Sequence, residues 1–544
     1  MLLPSPAPLL ANISLPGREA LDLLLRRAEA ELEAGHFSEV VAGLTPHAGM
    51  GSEAIDSLLG FAFTGLDRSE EAALCLLSAF NLGEGSRHPA LELVALFGRL
   101  NRRDQARNTL EALLNMTPND ARVLDALGEL LIYLGEIEEA LSVLEHSLDV
   151  RPISPLTMNF KAIALMEKGR ITEATSIFKR VLELIPHNAS ALSNLACIYS
   201  ALNRTDDALA LYRSAVIERP ENATIRLNYS ISLLKAGRYA QGWAEHEWRL
   251  QLPGHSQLPV SKLIPSLGDG VDIRGKRILV TQEEGLGDTL MYLRYIPALA
   301  RRGAIVHLWV PDTLADLCRR VEGAAVVQVG GTVPEFDWHC PFISLPRAFV
   351  GTEDAMGDPV PYLSTDPQKD RAARSLLPDN GKLNVGLVWG GAPRPNLSSA
   401  LMLDRKRSTS LAALDPLGKI AGINLISFQK GPHAEQGTIL PCGKEILDLM
   451  PYADTMDDTA SFLMGIDVLV SVDTSVVHLA GALGRPVLLM DRFDNCWRWL
   501  SGREDSIWYP DFTIIRQKKP NKWDDVVKRV ATHLKKMAAA HKHP

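Results

Sequence analysis

Little in this chain places it in a specialised structural class. Six cysteines (Cys75, Cys197, Cys318, Cys340, Cys442 and Cys496) are scattered through 544 residues, the nearest two 22 positions apart. That spacing excludes a zinc or redox cluster and leaves buried free thiols as the expectation. No apolar run approaches the roughly 18 residues a spanning helix needs. The first ten residues, Met1-Leu-Leu-Pro-Ser-Pro-Ala-Pro-Leu-Leu10, carry no basic stretch, and prolines interrupt their apolar residues. They read poorly as a secretory signal, so a cytoplasmic protein is expected, with peripheral membrane contact left open. Positive charge is not in excess: 57 Lys and Arg against 65 Asp and Glu give a net charge of −8. A nucleic-acid binder would be basic, so no nucleic-acid partner is expected. With 46% hydrophobic and 22% charged residues, long disorder is disfavoured. At about 150 residues per domain, three or four domain-sized units are expected.

A period is present in the N-terminal half. Pro118, Pro152, Pro186 and Pro220 are each 34 residues apart. In the same phase stand Ala106, Ala140, Ala174 and Ala208, then Leu110, Leu144, Phe178 and Tyr212. Gly135, Gly169 and Gly237 recur too, with Asn203 in the remaining slot. A small residue where helices cross, a bulky one a turn later, a turn glycine and a terminating proline describe a helix–turn–helix unit.

Over residues 87–250 this pattern resembles the tetratricopeptide repeat. Residues 18–86 fit less closely: Ala72 is in phase, but Gly35–Val41 is displaced, so they are expected to be degenerate or capping units. The resemblance implies an all-α solenoid over 18–250, behind an extension at 1–17. Such a groove binds a protein or peptide, or else the array only caps and positions the C-terminal half; both readings stand open.

The repeat fades at Gly237–Arg249, where Trp243 and Trp248 replace ordinary repeat residues. Residues 251–275 carry Pro253, Pro259, Pro265 and four glycines, the composition of a linker. From Lys276 the period changes to strands at Arg277–Thr281, Ile305–Val310 and Ala325–Val329, with a helix from Asp288 to Gly303. A second series begins after 381, with strands at Leu383–Trp389, Ile423–Phe428, Asp467–Val472 and Pro486–Met490. Its helices are expected near Ser410–Ala421, Thr459–Gly465 and Thr474–Leu483. Alternating strands and helices imply parallel, doubly wound sheets: a first lobe over 276–360, a second over 381–520, and a final helix over 521–540.

Four motifs occur here in order: Gly285-Leu-Gly-Asp288, Gly386-Leu-Val-Trp-Gly-Gly391, Asp473-Thr-Ser-Val-Val-His-Leu-Ala-Gly-Ala-Leu-Gly-Arg-Pro486 and Trp497-Arg-Trp-Leu500. Together they make residues 275–540 resemble glycosyltransferase family nine, the heptosyltransferase-like group. The Asp473–Pro486 block carries most of the specificity. The resemblance implies two facing Rossmann-like lobes of the GT-B type, and an inverting transfer from a nucleotide-sugar donor to a hydroxyl of a protein or glycan acceptor. It also implies that Asp288 is the catalytic base. Ser475 stands where the group usually has glycine.

The residues themselves are compatible with that chemistry. Gly285 and Gly287 follow a strand, where glycines let backbone approach a ligand. Leu290 fills the third glycine slot of a dinucleotide fingerprint, which disfavours a nicotinamide cofactor. Asp288 at a helix start also suits plain capping. Asp473, Thr474, Ser475 and His478 open a helix, so hydroxyls, free N–H groups and the imidazole are placed to hold a diphosphate. Packing and capping are the ordinary alternative. Arg407 and Lys430 lie at strand ends, where a fixed cation favours a leaving diphosphate, although charged runs are usually solvated surface. No Asp-x-Asp pair or histidine cluster offers a metal site in this second lobe, so no metal is expected. Glu283 and Glu284 read as loop or supporting residues. Trp497, Trp499, Trp508 and Trp523 read as packing more than sugar stacking. The last helix, with Trp523, Val527, Val530, Leu534 and Met537 on one face, should pack on its own domain. The other function class left open is a non-catalytic scaffold whose lobes are degenerate.

Overall fold

The computed structural model describes residues 18–82, 87–100, 102–255, 258–283, 285–392 and 404–541. The expected extension at 1–17 and Glu284 lie outside them. The chain forms two compact units, Met1–Pro186 and His187–Pro544.

The first unit holds helices in antiparallel succession, among them Ala121–Leu134, Ile137–Val150, Pro155–Glu167 and Ile171–Leu184. Each periodic residue does what its type allows. Ala106, Ala140, Ala174, Leu110, Leu144 and Phe178 are all buried. Gly135 and Gly169 end helices with φ of 81° and 82°, a left-handed conformation that costs glycine nothing. Asp120 and Ser154, two positions after the periodic prolines, cap the next helices by accepting from Arg122 N–H and Thr157 N–H. The poorly matching segment also forms helical hairpins, Arg18–Glu33 with Phe37–Leu44 and Glu53–Gly65 with Ser69–Leu82. Ala72 is fully buried there. Asp67 occupies the turn slot at φ 57°, so a non-glycine residue hid the repeat.

The second unit begins with four more repeat helices, Ala189–Ala201, Thr205–Glu218, Ala223–Lys235 and Tyr239–His246. Asn188 and Asn222 cap two of them. The repeat helices thus run up to the segment expected as a linker, while the compact units divide earlier, at Pro186, for a physical reason. Leu234 and Trp243 of the last repeat are buried in the same hydrophobic core as both α/β lobes. Residues 251–275 are not a loose tether either: Ile264, Leu267 and Ile273 are buried, and Ile264 N–H donates to His339 O at 2.9 Å.

The first sheet contains β1 (Arg277–Thr281), β2 (Ile305–Trp309), β3 (Ala324–Gln328) and β4 (Trp338–Pro341), parallel in the order β3-β2-β1-β4. The second contains β5 (Leu383–Val388), β6 (Ile423–Ser427), β7 (Leu447–Asp448), β8 (Val468–Val472), β9 (Val487–Asp491) and β10 (Phe512–Arg516). They run parallel in the order β10-β9-β8-β5-β6-β7. Both orders reverse direction beside the first strand of their sheet, at β1/β4 and β5/β8, which is where doubly wound sheets take ligands. The sequence pattern missed β4, β7 and β10. The helix expected at Asp288–Gly303 starts at Leu286 and breaks into Leu286–Tyr292 and Ile296–Arg301. At Ser410–Ala421 only a 3-10 turn, Leu411–Leu414, and the short Asp415–Gly418 form, with Pro416 starting the latter. The final helix, Asp524–His541, buries Val526, Val527, Val530 and Leu534 against the second sheet, with Trp523 and Met537 packed alongside. Among the described residues, no helix is long and apolar enough to cross a membrane.

Candidate binding and catalytic site

Strand β1 leads through Glu283 into the Leu286–Tyr292 helix. Gly285 is the N-cap, with no side-chain cap, and Asp288 lies three residues inside, its N–H bonded to Gly285 O at 3.0 Å. Asp288 is thus not the cap, and its carboxylate is ion-paired with Arg498 of the other lobe. Glu283, expected to be solvated or supporting, is buried between Arg249 at 2.8 Å and His255 at 2.5 Å. Arg249 in turn donates to Ser344 Oγ at 2.7 Å. This fastens the loop after β1 to the segment that succeeds the last repeat.

Strand β8 leads through Asp473 into the Ser475–Ala482 helix, capped by Thr474 in an extended conformation without a side-chain cap bond. The Asp473 carboxylate and Thr474 hydroxyl are therefore not spent on capping, which removes half of the ordinary alternative for this block. His478 sits one turn on, stacked on Trp499 with ring centroids 5.5 Å apart, and its Nδ1 shares a hydrogen bond with Tyr509 Oη at 3.0 Å. Burial pushes His478 down to about 4, against a raising influence from Asp473. The imidazole is neutral at pH 7, with Nε2 4.0 Å from Asp473 Oδ1. The Asp288 and Asp473 segments meet at Gly287. A Cβ placed there would lie 2.9 Å from His478 Cδ2 and 3.4 Å from Ser475 Cα. The bare α-carbon of Gly287 is thus used for packing across the two lobes, whereas Gly285 faces only Asp288 Oδ2 at 3.6 Å.

The remaining cations come from the second lobe. Arg407 is ion-paired to Asp404 at 2.7 Å and donates to Asp473 O at 3.1 Å, tying it to the β8 loop. Gly391 lets this happen, because a Cβ there would collide with Arg407 Nη2. Gln429 holds the loop after β5 by accepting from Trp389 N–H and Gly390 N–H at 2.9 and 2.8 Å. Lys430, next to it, is exposed and donates to Ala453 O.

All nine residues singled out from the sequence (Gly285, Gly287, Asp288, Arg407, Lys430, Asp473, Thr474, Ser475 and His478) line one cavity of about 970 Å³. Three further groups line it that the sequence reading did not single out: Arg498, Arg492 and, from the last repeats, Lys235. Arg498 lies inside the Trp497–Leu500 motif, between two tryptophans. Those tryptophans are packing residues: Trp497, Trp499 and Trp508 are buried, and Trp497 meets Trp243 edge-on at 5.1 Å. His246 also lines the cavity, its Nδ1 2.9 Å from Ser230 Oγ. Burial, then Arg249, holds it well below the usual histidine range. Among the described residues, no group of three or more His, Cys, Asp or Glu is arranged to hold a metal ion.

Residues 131–244 match the family described as the Psidin N-terminal TPR repeats region. Protein FlbA of Caulobacter vibrioides is 26% identical over 336 residues, 57% of this chain and 54% of FlbA. The chain thus spans about half the length of this curated relative. A tetratricopeptide repeat protein from Parabacteroides merdae is similar over 43% of this chain and 93% of its own, at 17% identity and a TM-score of 0.40. A thermophilic TPR protein of Thermus thermophilus covers 34% of this chain and 100% of its own, at 24% identity and a TM-score of 0.30. The N-terminal part of this chain carries a tetratricopeptide repeat region.

Proposed function

We propose that the α/β half is an inverting glycosyltransferase of the family-nine kind, using a nucleotide-sugar donor, with fixed cations doing the electrostatic work of a metal. One observation carries this reading. Asp288 from one sheet and the Asp473–His478 segment from the other open into a single cavity, at the switch-point edges of parallel sheets. In the proposed reaction, Asp288 takes the proton of the acceptor hydroxyl as its oxygen attacks the anomeric carbon. The bond from that carbon to the diphosphate breaks with inversion. The diphosphate leaves with its growing negative charge facing Arg407, Lys430 and the N–H groups that open the Ser475–Ala482 helix. Arg498 has to release or share the Asp288 carboxylate for it to accept a proton. The repeats, a protein-interaction platform, recruit the acceptor or a partner protein.

The competing reading is a scaffold with a degenerate α/β half, and the existing pairing of Asp288 with Arg498 is what favours it. A thermal-shift panel of UDP, GDP and ADP with their sugars on the full chain separates the two. A ligand that binds only the folded state at a hundredfold over its Kd stabilises by about 2.7 kcal/mol. The transferase reading expects a shift with one base, removed by Asp473→Ala. The absence of any shift supports the scaffold.

A further inference from the structure

We infer that the last repeat is part of the binding site itself: Lys235, carried by the Ala223–Lys235 helix, forms with Arg492 an oxyanion subsite for the diphosphate of the ligand. This rests on the donor reading above and adds to it a residue from outside the α/β half.

The cavity has an unusual charge balance for a chain of net charge −8. Its lining includes five cations, Lys235, Arg407, Lys430, Arg492 and Arg498, against four carboxylates, Asp288, Asp454, Asp473 and Asp494. Two of those carboxylates are already shared: Asp288 with Arg498, and Asp494 with Lys406 at 3.2 Å. Arg492 approaches Asp494 only at 3.6 Å, its side chain is nine-tenths buried, and its Nη1 has no hydrogen-bond partner. A buried guanidinium donor without an acceptor is costly, and a charged oxygen acceptor relieves it. Lys235 is 5% exposed and spends one donor on Ser200 O at 2.8 Å, leaving two.

The repeat before the Lys235 helix is fastened to the β9 loop independently of any ligand. Asn203 Nδ2 donates to Phe493 O at 2.8 Å, between Arg492 and Asp494. Burial pushes Lys235 down to about 8. Asp494 and Asp491 oppose that shift, while Arg492 and Arg516 add to it. Lysine at this place is therefore a cation that an arriving anion reinforces. A diphosphate fits better than a single carboxylate, because it offers oxygens to Arg407 at the β8 loop and to Arg492 and Lys235 at the β9 loop at once.

The test uses the full chain. Inorganic pyrophosphate and UDP, GDP and ADP are titrated against wild type, Lys235→Met, Arg492→Gln and Asp473→Ala. Lys235→Met and Arg492→Gln are each expected to weaken pyrophosphate binding about tenfold, the loss of one charged hydrogen bond. Should either variant fail to fold, wild type supplies the second arm. Sulfate, whose charge is constant from pH 6.5 to 9.5, should bind more weakly as pH rises through about 8 and Lys235 loses its proton. Nucleotide binding that needs Asp473 but is unchanged in Lys235→Met, or a flat sulfate profile, overturns the inference and leaves the transferase reading standing. Pyrophosphate binding that needs Lys235, without binding of any nucleotide, supports the subsite and sinks the donor reading.

Discussion

Ala106, Ala140 and Ala174 in the first unit and Ala208 in the second occupy one repeat position, and all four are buried, yet the helices around them close their cores in different ways. Before Pro186, apolar faces are covered by neighbouring hairpins: Ala90, Leu110, Leu113, Val123, Leu127, Leu131 and Ala140 form one such cluster. After His187, the repeat ends in the α/β core, where Leu234 and Trp243 pack with Tyr292 of the first lobe and Trp497 of the second. A repeat covered only by repeats can be lengthened or shortened. One that shares a core with two sheets cannot be removed without exposing that core, whatever its sequence period suggests.

The most direct way to break this comparison is truncation. A fragment starting near residue 270 should be insoluble or unfolded by circular dichroism, because it loses Trp243 and strands Glu283 without Arg249. A fragment starting at His187 should give a cooperative melt. Equal behaviour of the two would refute the shared core.

Asp288→Asn tests the α/β half alone. On the proposed transferase reading it should lower transfer by about a hundredfold to ten-thousandfold, the usual range for a general base, with nucleotide affinity nearly unchanged. Retained turnover with a lowered Tm would make Asp288 structural.

Proton linkage gives the next effect. His478 is held at about 4, below its unfolded value of 6.5. The unfolded chain therefore takes up the proton first as pH falls, and stability present above pH 6.5 is lost progressively down to pH 4. The loss from this residue is about 3 kcal/mol. Denaturation midpoints of wild type and His478→Gln over that range should diverge, with a residual slope from His246, which is shifted the same way.

Gly287→Ala places a Cβ 2.9 Å from the stacked, buried His478 ring, and overpacking of this kind costs about 1–3 kcal/mol. An unchanged Tm would show that the two helix starts are free to separate. The smallest effect is at Asn203→Gly. It eases φ 60° but loses the bond to Phe493 O, so a net destabilisation of about 0.5 kcal/mol is expected. The same exchange in the other direction, Gly135→Asn, has no such bond to gain.

Much of this was legible in the sequence where one residue has one physical task. Periodic alanines had to be buried, glycines at 34-residue spacing had to take positive φ, and β-branched runs after Lys276 had to be strands. Strands with mixed composition were hidden, Trp338–Pro341 by its proline and Leu447–Asp448 by its two-residue length. The nine residues singled out from the sequence, which line one cavity, belong to recognisable motifs or lie near strand ends. Lys235, Arg492 and Arg498 were not singled out: Lys235 and Arg498 are placed by partners distant in sequence, Ser200 and Asp288, and Arg492 belongs to no motif. The division at Pro186 was hidden for the same reason. Proline and glycine in 251–275 report local backbone freedom, while the true division depends on what Leu234 and Trp243 touch.

The shared core also sets an order of events during synthesis. Trp243 leaves the ribosome roughly 250 residues ahead of Trp497, a delay of about 12–50 s at ordinary elongation rates of 5–20 residues per second. The first ten helices can fold while translation continues, but the last repeat waits with its tryptophan covered only from the Tyr292 side until the second sheet emerges. In that interval the nascent chain presents a half-built apolar face, and it is there that a chaperone has most to protect.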